Sequence, residues 1–240
     1  MKTKIFTAGL MLAAISFGGC MEDVFTPCIM GNNNFESESR ALADFNKIDY
    51  QVEGNLIVRK GTENRIEIEG SSNQLNYIKT KVENGRLKIY SSQCLKNTDL
   101  NFVVYTDDLS EVKLAGSGDV DVMDDFASEG LNFEVSGSGK LSAPAEAEVV
   151  TTKLSGSGSI TLEGFCQTFE SHISGSGKIH AYALVANSAN ATISGSGDLE
   201  IFVNNTLTSN ISGSGSVRYK GNPPIVNSNI SGSGRVIKVQ

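Results

Sequence analysis

The sequence predicts an all-β protein, a right-handed parallel β-helix (β-solenoid) with rungs of about 19 residues. One observation is a seven-residue phrase, apolar–small–Gly–Ser–Gly–x–apolar, which occurs seven times. The central serines of successive copies are separated by 21, 19, 19, 20, 18 and 19 residues. A second observation is the alternation of apolar and polar residues on both sides of the phrase, which is typical of strands with one buried face. Such a period indicates stacked units that bury their apolar residues against their neighbours.

The alternation continues through the glycines of the phrase without a change of phase. In the fourth copy, Ile173 and Ile179 share one parity with Gly175 and Gly177, whereas the serines have the other parity. Because side chains alternate between the two faces of a strand, this predicts a strand that bends at the phrase, with its glycines in a corner too narrow for a Cβ atom. The alternative is an independent tight turn whose glycines have positive φ.

The residues before the first phrase also alternate as strands do. Asn84-Gly85, between two such segments, marks a tight hairpin-like turn. Together with the seven phrases, these residues predict roughly ten rungs, at one rung per repeat. Residues 39–45 are the only candidate for a short helix.

The N-terminus has the features of an export signal. Lys2 and Lys4 precede an apolar stretch of 13 residues, 5–17, which is too short to span a bilayer. Small residues directly before Cys20 resemble a bacterial lipobox, so we predict a signal peptide over 1–19 and a diacylglycerol on Cys20. An ordinary cleaved signal with a free cysteine is the alternative. The expected location is the cell envelope, as a lipoprotein anchored in the outer membrane, facing either the periplasm or the outside.

The remaining chain divides into a tether and a domain. Residues 20–40 are polar and without periodicity, which predicts a flexible tether, and residues 41–240 form a single β-helical domain. The formal charge is −7, and it becomes −7 − 2 = −9 when Lys2 and Lys4 leave with the signal. An acidic chain repels phosphate backbones, so nucleic acid is not an expected partner.

The cysteines and histidines show no catalytic or zinc-binding pattern. Cys28 and Cys94 could form a disulfide in an oxidising envelope. Their spacing neither requires nor excludes this bond. Cys166 is expected to be a small packing residue. His172 and His180 have the outward parity of a strand, and we expect both at the surface.

A family resemblance rests on the run of Ser-Gly-Ser-Gly phrases and on five segments before it: residues 45–52, 56–61, 66–70, 75–78 and 82–89. With these segments the chain resembles, over residues 41–240, the head GIN domain family of auto-transporter adhesins, a family common among Bacteroidetes lipoproteins. The resemblance implies a β-helical domain of the cell envelope. It implies no catalytic residue and no cofactor.

The strongest predicted surface feature is a double column of serines at the corners. Two rows of hydroxyl groups at strand spacing could bind a glycan or another extended polymer through many weak contacts. The alternative is that serine occurs there simply because a small polar residue fits a tight corner. The candidate binding face is the column of central serines: Ser138, Ser157, Ser176, Ser196, Ser214 and Ser233.

One acidic cluster is a weak candidate for a metal site, because carboxylate-rich clusters suit calcium. It is not repeated along the chain and lacks the nine-residue period of calcium-binding β-rolls. A solvated acidic loop is therefore the favoured interpretation, and no metal or cofactor is expected. The cluster consists of Asp119, Asp121, Asp124 and Asp125.

A non-enzymatic adhesion, binding or scaffolding module is the function that the sequence favours. Many β-helix proteins act on polysaccharides, so a lyase or hydrolase is the alternative. That chemistry needs paired carboxylates on one face, whereas the outward positions here carry Ser, Thr, Asn and single charges, and the chain contains no Trp.

The residues after each phrase predict a vertical ladder that fixes the register of the rungs. No two like charges are adjacent in it, and two neighbouring pairs, Asp119–Lys140 and Lys178–Asp198, have opposite charges: Asp119, Lys140, Ser159, Lys178, Asp198, Ser216 and Arg235. At the last rung, residues 235–240 present a strand edge that can template another chain, which predicts end-to-end self-association.

Overall fold

The structure is a computed structural model that describes residues 27–240. The predicted signal peptide at 1–19 and the predicted lipid attachment at Cys20 lie outside the described residues. The described residues include a β-solenoid of about seven turns, with rungs about 19 residues apart. The predicted fold class is therefore confirmed.

The described chain contains nineteen strands and one short helix. In chain order they are β1 (Ile29–Met30), β2 (Phe35–Ala41), β3 (Lys47–Tyr50), β4 (Asn55–Lys60), β5 (Arg65–Ser71), α1 (Ser72–Leu75), β6 (Ile78–Glu83), β7 (Arg86–Ser91), β8 (Leu95–Lys96), β9 (Asn101–Thr106), β10 (Glu111–Gly116), β11 (Asp119–Val122), β12 (Ser128–Gly137), β13 (Lys140–Gly156), β14 (Ser159–Gly175), β15 (Lys178–Gly195), β16 (Asp198–Gly213), β17 (Ser216–Lys220), β18 (Ile225–Gly232) and β19 (Arg235–Lys238).

The solenoid consists of parallel strands stacked phrase over phrase. The residues before each phrase form one face, here called the upstream face, in which β10, β12, the second halves of β13 to β16, and β18 are paired in sequence. The residues after each phrase form the downstream face, which ends with β17 and β19. Glycine pairs with glycine at every step, as in Gly156 with Gly175 and Gly175 with Gly195.

The bore between the two faces is filled by the inward residues of every rung. Ile173 and Ile179 are buried on either side of the fourth phrase, whereas Ser174, Ser176 and Lys178 are exposed. Complete burial of an Ile side chain contributes about 1.5–3 kcal/mol. The apolar column therefore provides the main stabilisation of the stack.

The corners combine both geometries that the sequence left open. The strand is interrupted at Ser176 and Gly177, yet the inward–outward phase is the same before and after the interruption. Gly175, the first glycine of the phrase, also has a positive φ of +121°. The bent strand is thus confirmed, and its bend uses a backbone conformation that only glycine adopts easily.

Hydrogen bonds join each corner to the corner before it. The carbonyl of Gly156 accepts the N–H groups of Ser176 and Gly177, both at 2.9 Å, and the carbonyl of Gly158 accepts the N–H of Lys178 at 3.1 Å. A Cβ atom on Gly177 would lie 2.6 Å from the carbonyl oxygen of Gly158. The corner backbones are therefore too close for any side chain to lie between them.

The first part of the domain is a cap, and the regular rungs number about seven, fewer than the roughly ten predicted. β3 and β4, and then β7 and β9, continue the parallel stack beneath β10 and β11, but β5 pairs antiparallel with β9, and β6 pairs antiparallel with β7. The predicted hairpin turn joins β6 to β7, with positive φ at Asn84 (51°) and Gly85 (70°). Alternation alone does not distinguish parallel from antiparallel pairing, because both have the same two-residue period.

The structure also differs from the expected tether and helix. β1 pairs with β8, and β2 pairs antiparallel with β5, so residues 29–41 belong to the cap. β2 occupies part of the predicted helix at 39–45, and the observed helix is α1. Polar residues form a strand here because β5 offers an open edge to pair with, and the pairing is through the backbone. No helix among residues 27–240 is long and apolar enough to cross a membrane.

A disulfide and a buried amide hold the first described residues to the cap. Cys28 is bonded to Cys94, with Cα atoms 4.6 Å apart. The side-chain amide of Gln74, which is fully buried, donates to the carbonyl oxygens of Ile29 (3.0 Å) and Lys96 (2.8 Å). The sequence left the disulfide open, and the structure shows it.

Valine substitutions at one corner will distinguish an inward position from an outward one by their effects on the free energy of unfolding. Gly175→Val is expected to lower the free energy of unfolding by about 3 kcal/mol or more, because it combines an unfavourable φ with overpacking. Ser176→Val, at an exposed position, is expected to change it by less than about 0.5 kcal/mol. Chemical denaturation of the two variants measures this, and equal losses would contradict the bent-strand corner.

Candidate functional site

The acidic cluster predicted as a weak metal candidate does not form a metal-binding group. Asp124 accepts a hydrogen bond from the backbone N–H of Lys60 at 2.9 Å. Asp119 lies in register between Asn55 and Lys140. Among residues 27–240, no three His, Cys, Asp or Glu side chains are placed together to hold a metal.

The central serines lie on the outer edge of the corners. Each is exposed, and the stacked phrases place them one above another: Ser138, Ser157, Ser176, Ser196, Ser214 and Ser233. The hollow beside them is lined by other residues. We call the column of central serines the serine crest.

A groove runs along the upstream face, next to the serine crest. Its first part has a volume of about 310 Å³, and a second part of about 160 Å³ continues it towards the C-terminal end. One wall is the other serine column of the phrase: Ser136, Ser155, Ser174, Ser194, Ser212 and Ser231. The other wall consists of the outward residues two positions earlier: Glu134, Lys153, His172, Thr192, Asn210 and Asn229. We call this the polar groove.

The stacking of the rungs creates both walls. Lys153 is in register with Glu134 and His172, and Thr192 is in register with His172 and Asn210. Neighbouring rungs are about 4.8 Å apart, as in any sheet. Side chains from distant parts of the sequence therefore form continuous rows of hydrogen-bonding groups.

The charge of the upstream face changes along its length. At the N-terminal end, Lys113 Nζ lies 2.8 Å from Glu134 Oε1, and both guanidinium nitrogens of Arg86 bond the carboxylate of Glu111, at 2.7 and 3.0 Å. The hydrogen bonds from Arg86 lower the pKa of Glu111, so this carboxylate stays charged to a lower pH than an isolated glutamate does. These two ion pairs each join side chains on different strands of the upstream face.

The C-terminal half of the polar groove carries hydroxyl and amide groups instead of charges. Thr192, Asn210 and Asn229 follow one another in register, beside Ser194 and Ser212. All five side chains are exposed. Such groups donate and accept hydrogen bonds without the desolvation cost of an ion.

The predicted ladder on the downstream face is confirmed in its register. Asp119 lies opposite Lys140, and Lys178 lies opposite Asp198. An ion pair is observed on that face between other residues: Asp198 contacts Arg218 at 3.5 Å. Glu200 Oε2 also lies within hydrogen-bond distance of His180 Nδ1, at 2.8 Å. His172 and His180 are both at the surface, as predicted.

Cys166 is a packing residue and not a nucleophile. Its side chain is buried between rungs, and burial raises the pKa of the thiol to about 12. A thiol with such a pKa is protonated at neutral pH, and only the thiolate is an effective nucleophile.

The sequence indicated the serine wall of the polar groove but not the opposite wall. The second wall has no constant residue type, so the repeated phrase gives no sign of it. Its members share the outward parity and the spacing of two residues before the serine, as His172 does before Ser174. That signal identifies a column, whereas the hollow depends on the curvature of the face, which spacing does not specify.

Comparisons with known proteins agree with this architecture. The family model described as "Putative auto-transporter adhesin, head GIN domain" matches residues 44–223. A Bacteroides fragilis crystal structure described as a "putative adhesin" has 25% identity and a TM-score of 0.83, covering 88% of this chain and 100% of that one. A Parabacteroides distasonis structure, described as a "putative lipid binding protein", has 25% identity and a TM-score of 0.76, covering 89% and 100%.

A Parabacteroides merdae structure described as a "putative adhesin" shares the fold, with 20% identity and a TM-score of 0.72, covering 88% of this chain and 99% of that one. The comparison with curated proteins gave no match.

The burial of Cys166 predicts an unreactive thiol. In a Cys20→Ala variant, a thiol reagent at pH 8 is expected to label less than about one tenth of the native protein, because the pKa of about 12 leaves the thiol protonated. In denaturant without reductant, the same reagent should label one thiol per chain. Rapid labelling of the native protein would contradict the buried position.

Proposed function

Because this chain belongs to the family described as "Putative auto-transporter adhesin, head GIN domain", we propose that it is a lipid-anchored module of the cell envelope. In this proposal it binds an extended polar polymer, such as a glycan, and does not catalyse a reaction. Its ligand lies along the polar groove.

The polar groove is the observation that carries this proposal. One wall repeats a serine hydroxyl at every rung, as at Ser194 and Ser212, and the other wall carries hydroxyl and amide groups over its C-terminal half, as at Asn210. A polymer that runs across the rungs meets a serine at each step. Many weak contacts along one chain then add up to useful affinity by raising the effective concentration of each next contact.

The composition of the groove supports binding over hydrolysis. Glu134 is the one carboxylate among its lining residues, and it is paired with Lys113. Glycoside hydrolysis ordinarily needs two carboxyl groups flanking the scissile bond. The description "putative lipid binding protein" of the Parabacteroides distasonis structure is not extended to this chain, because the bore of the solenoid is filled by side chains such as Phe169 and Ile173.

Export and anchoring are supported by the two ends of the leading segment. The basic start, the apolar stretch and the small residues before Cys20 have the order of a lipoprotein signal. The Cys28–Cys94 disulfide fits an oxidising compartment, where such bonds persist. In the outer membrane, a lipid on Cys20 would leave a tether of only a few residues before the cap.

Lipid attachment can be tested by metabolic labelling. Labelled palmitate is expected to enter the wild-type chain and the Cys166→Ala variant, and to be absent from Cys20→Ala, because the acyl groups depend on Cys20. Absence of label from all three proteins would contradict the anchor. Protease treatment of intact cells then distinguishes surface exposure from a periplasmic location.

Polymer binding can be tested on a glycan array with matched variants. Ser174→Gln with Ser194→Gln places two long side chains in the polar groove, and this is expected to weaken binding at least tenfold, about 1.4 kcal/mol. The control is Ser176→Gln with Ser196→Gln on the serine crest, which should bind as the wild type does.

The outcomes show whether the ligand binds in the polar groove or on the serine crest, and whether the module only binds its ligand or also cleaves it. Loss of binding in the crest variant alone would assign the ligand to the crest and contradict the groove. Release of new reducing ends from a bound glycan would contradict a non-catalytic module.

A further inference from the structure

The two ends of the solenoid differ in how their apolar bore is covered. At the C-terminal end, the last rung (the terminal rung, β17 to β19) leaves inward positions open: Val226 is 40% exposed and Ile230 is 39% exposed. One rung earlier, the residues in register with them, Leu207 and Ile211, are 0% and 2% exposed. Ile225 beside them is 50% exposed. Among residues 27–240, nothing packs on this surface.

The strands of the terminal rung also have free edges. Within the described chain, β18 pairs only with β16, and β19 pairs only with β17. Their outer N–H and C=O groups continue the same ladder that joins the preceding rungs. An open strand edge beside exposed apolar side chains is a template for another chain.

The N-terminal end is protected against such pairing. In its edge strand β2, Glu38 and Arg40 are half-buried and form an ion pair with each other. Arg40 also donates to the carbonyl of Ile78 at 3.0 Å and to Thr80 Oγ1 at 3.2 Å, across to β6. Inward-pointing charges on an edge strand oppose the addition of a further strand.

We propose that the terminal rung binds a second copy of this chain, C-terminal end to C-terminal end, as a closed two-fold dimer. At the other end, Arg40 bonds the edge strand β6 from the edge strand β2, and both strands carry charged residues, so a head-to-tail chain of copies is disfavoured. β18 carries no charged residue, so its burial has no ionic desolvation cost. A rung of about 19 residues is just below the 20–30 residues per partner of stable interfaces, so the dimer is weak and concentration-dependent.

Salt distinguishes this dimer from an electrostatic one. The charges on β19 are Arg235 and Lys238, so two terminal rungs repel each other at low ionic strength. Salt screens that repulsion, and the apolar dimer therefore becomes tighter at high salt. High salt would instead weaken a head-to-tail contact between the basic residues of β19 and the acidic residues of β2, Glu36 and Glu38.

Analytical ultracentrifugation of the full chain tests the proposal, in a Cys20→Ala background so that no acyl group contributes to association. The average mass is expected to rise with concentration and to level off at two copies, at lower concentrations in 0.5 M than in 0.05 M salt. Ile230→Asp places a charge in the interface and should raise the dimer Kd at least tenfold. Met123→Asp, at another exposed apolar residue, is the control and should change the Kd less than twofold.

Each other outcome overturns the proposal. These are a monomer at every concentration, growth beyond two copies, weakening by salt, or equal effects of Ile230→Asp and Met123→Asp. Thermal unfolding establishes that the variants are folded, and Ile225→Asp replaces Ile230→Asp if that variant is not.

Discussion

The close approach of successive corner backbones is the constraint on which the rest of the structure depends. The carbonyl of one first glycine accepts two N–H groups from the next corner, as Gly156 does from Ser176 and Gly177 at 2.9 Å. At that spacing a Cβ atom on Gly175 would lie 2.5 Å from the carbonyl oxygen of Gly156. The rungs can therefore stack at sheet spacing only where the corner has no side chain.

Alignment of the corners sets the position of every other column. With glycine over glycine, inward residues such as Ile173 and Ile193 stack in the bore, and outward residues such as His172 and Thr192 stack on the upstream face. The polar groove and the apolar surface of the terminal rung are both consequences of this register. A rigid stack of this kind presents repeated groups at a fixed spacing, which suits a polymeric ligand better than a compact one.

The sequence predicted the regular part of the fold well and its ends poorly. The period and the parity of Gly175 and Gly177 determine the rungs, the buried column and the register of the ladder, because all three follow from a single repeated geometry. β2 was missed because its polar residues are paired through backbone atoms, for which side-chain patterns carry little information. The groove wall at His172 was missed because its residue type varies from rung to rung. The Cys28–Cys94 disulfide was left open because spacing does not specify which cysteines meet.

Three alanine substitutions measure the corner constraint most directly. Gly116 has a positive φ of +121° but no atom within 4 Å of an added Cβ, Gly177 has only the close contact, and Gly175 has both. If stacking is the main constraint, Gly175→Ala and Gly177→Ala each lower the free energy of unfolding by at least about 1 kcal/mol more than Gly116→Ala, which carries only the φ strain of about 1–2 kcal/mol. Equal losses for Gly116→Ala and Gly175→Ala, with little loss for Gly177→Ala, would show that backbone conformation and not stacking selects the glycines.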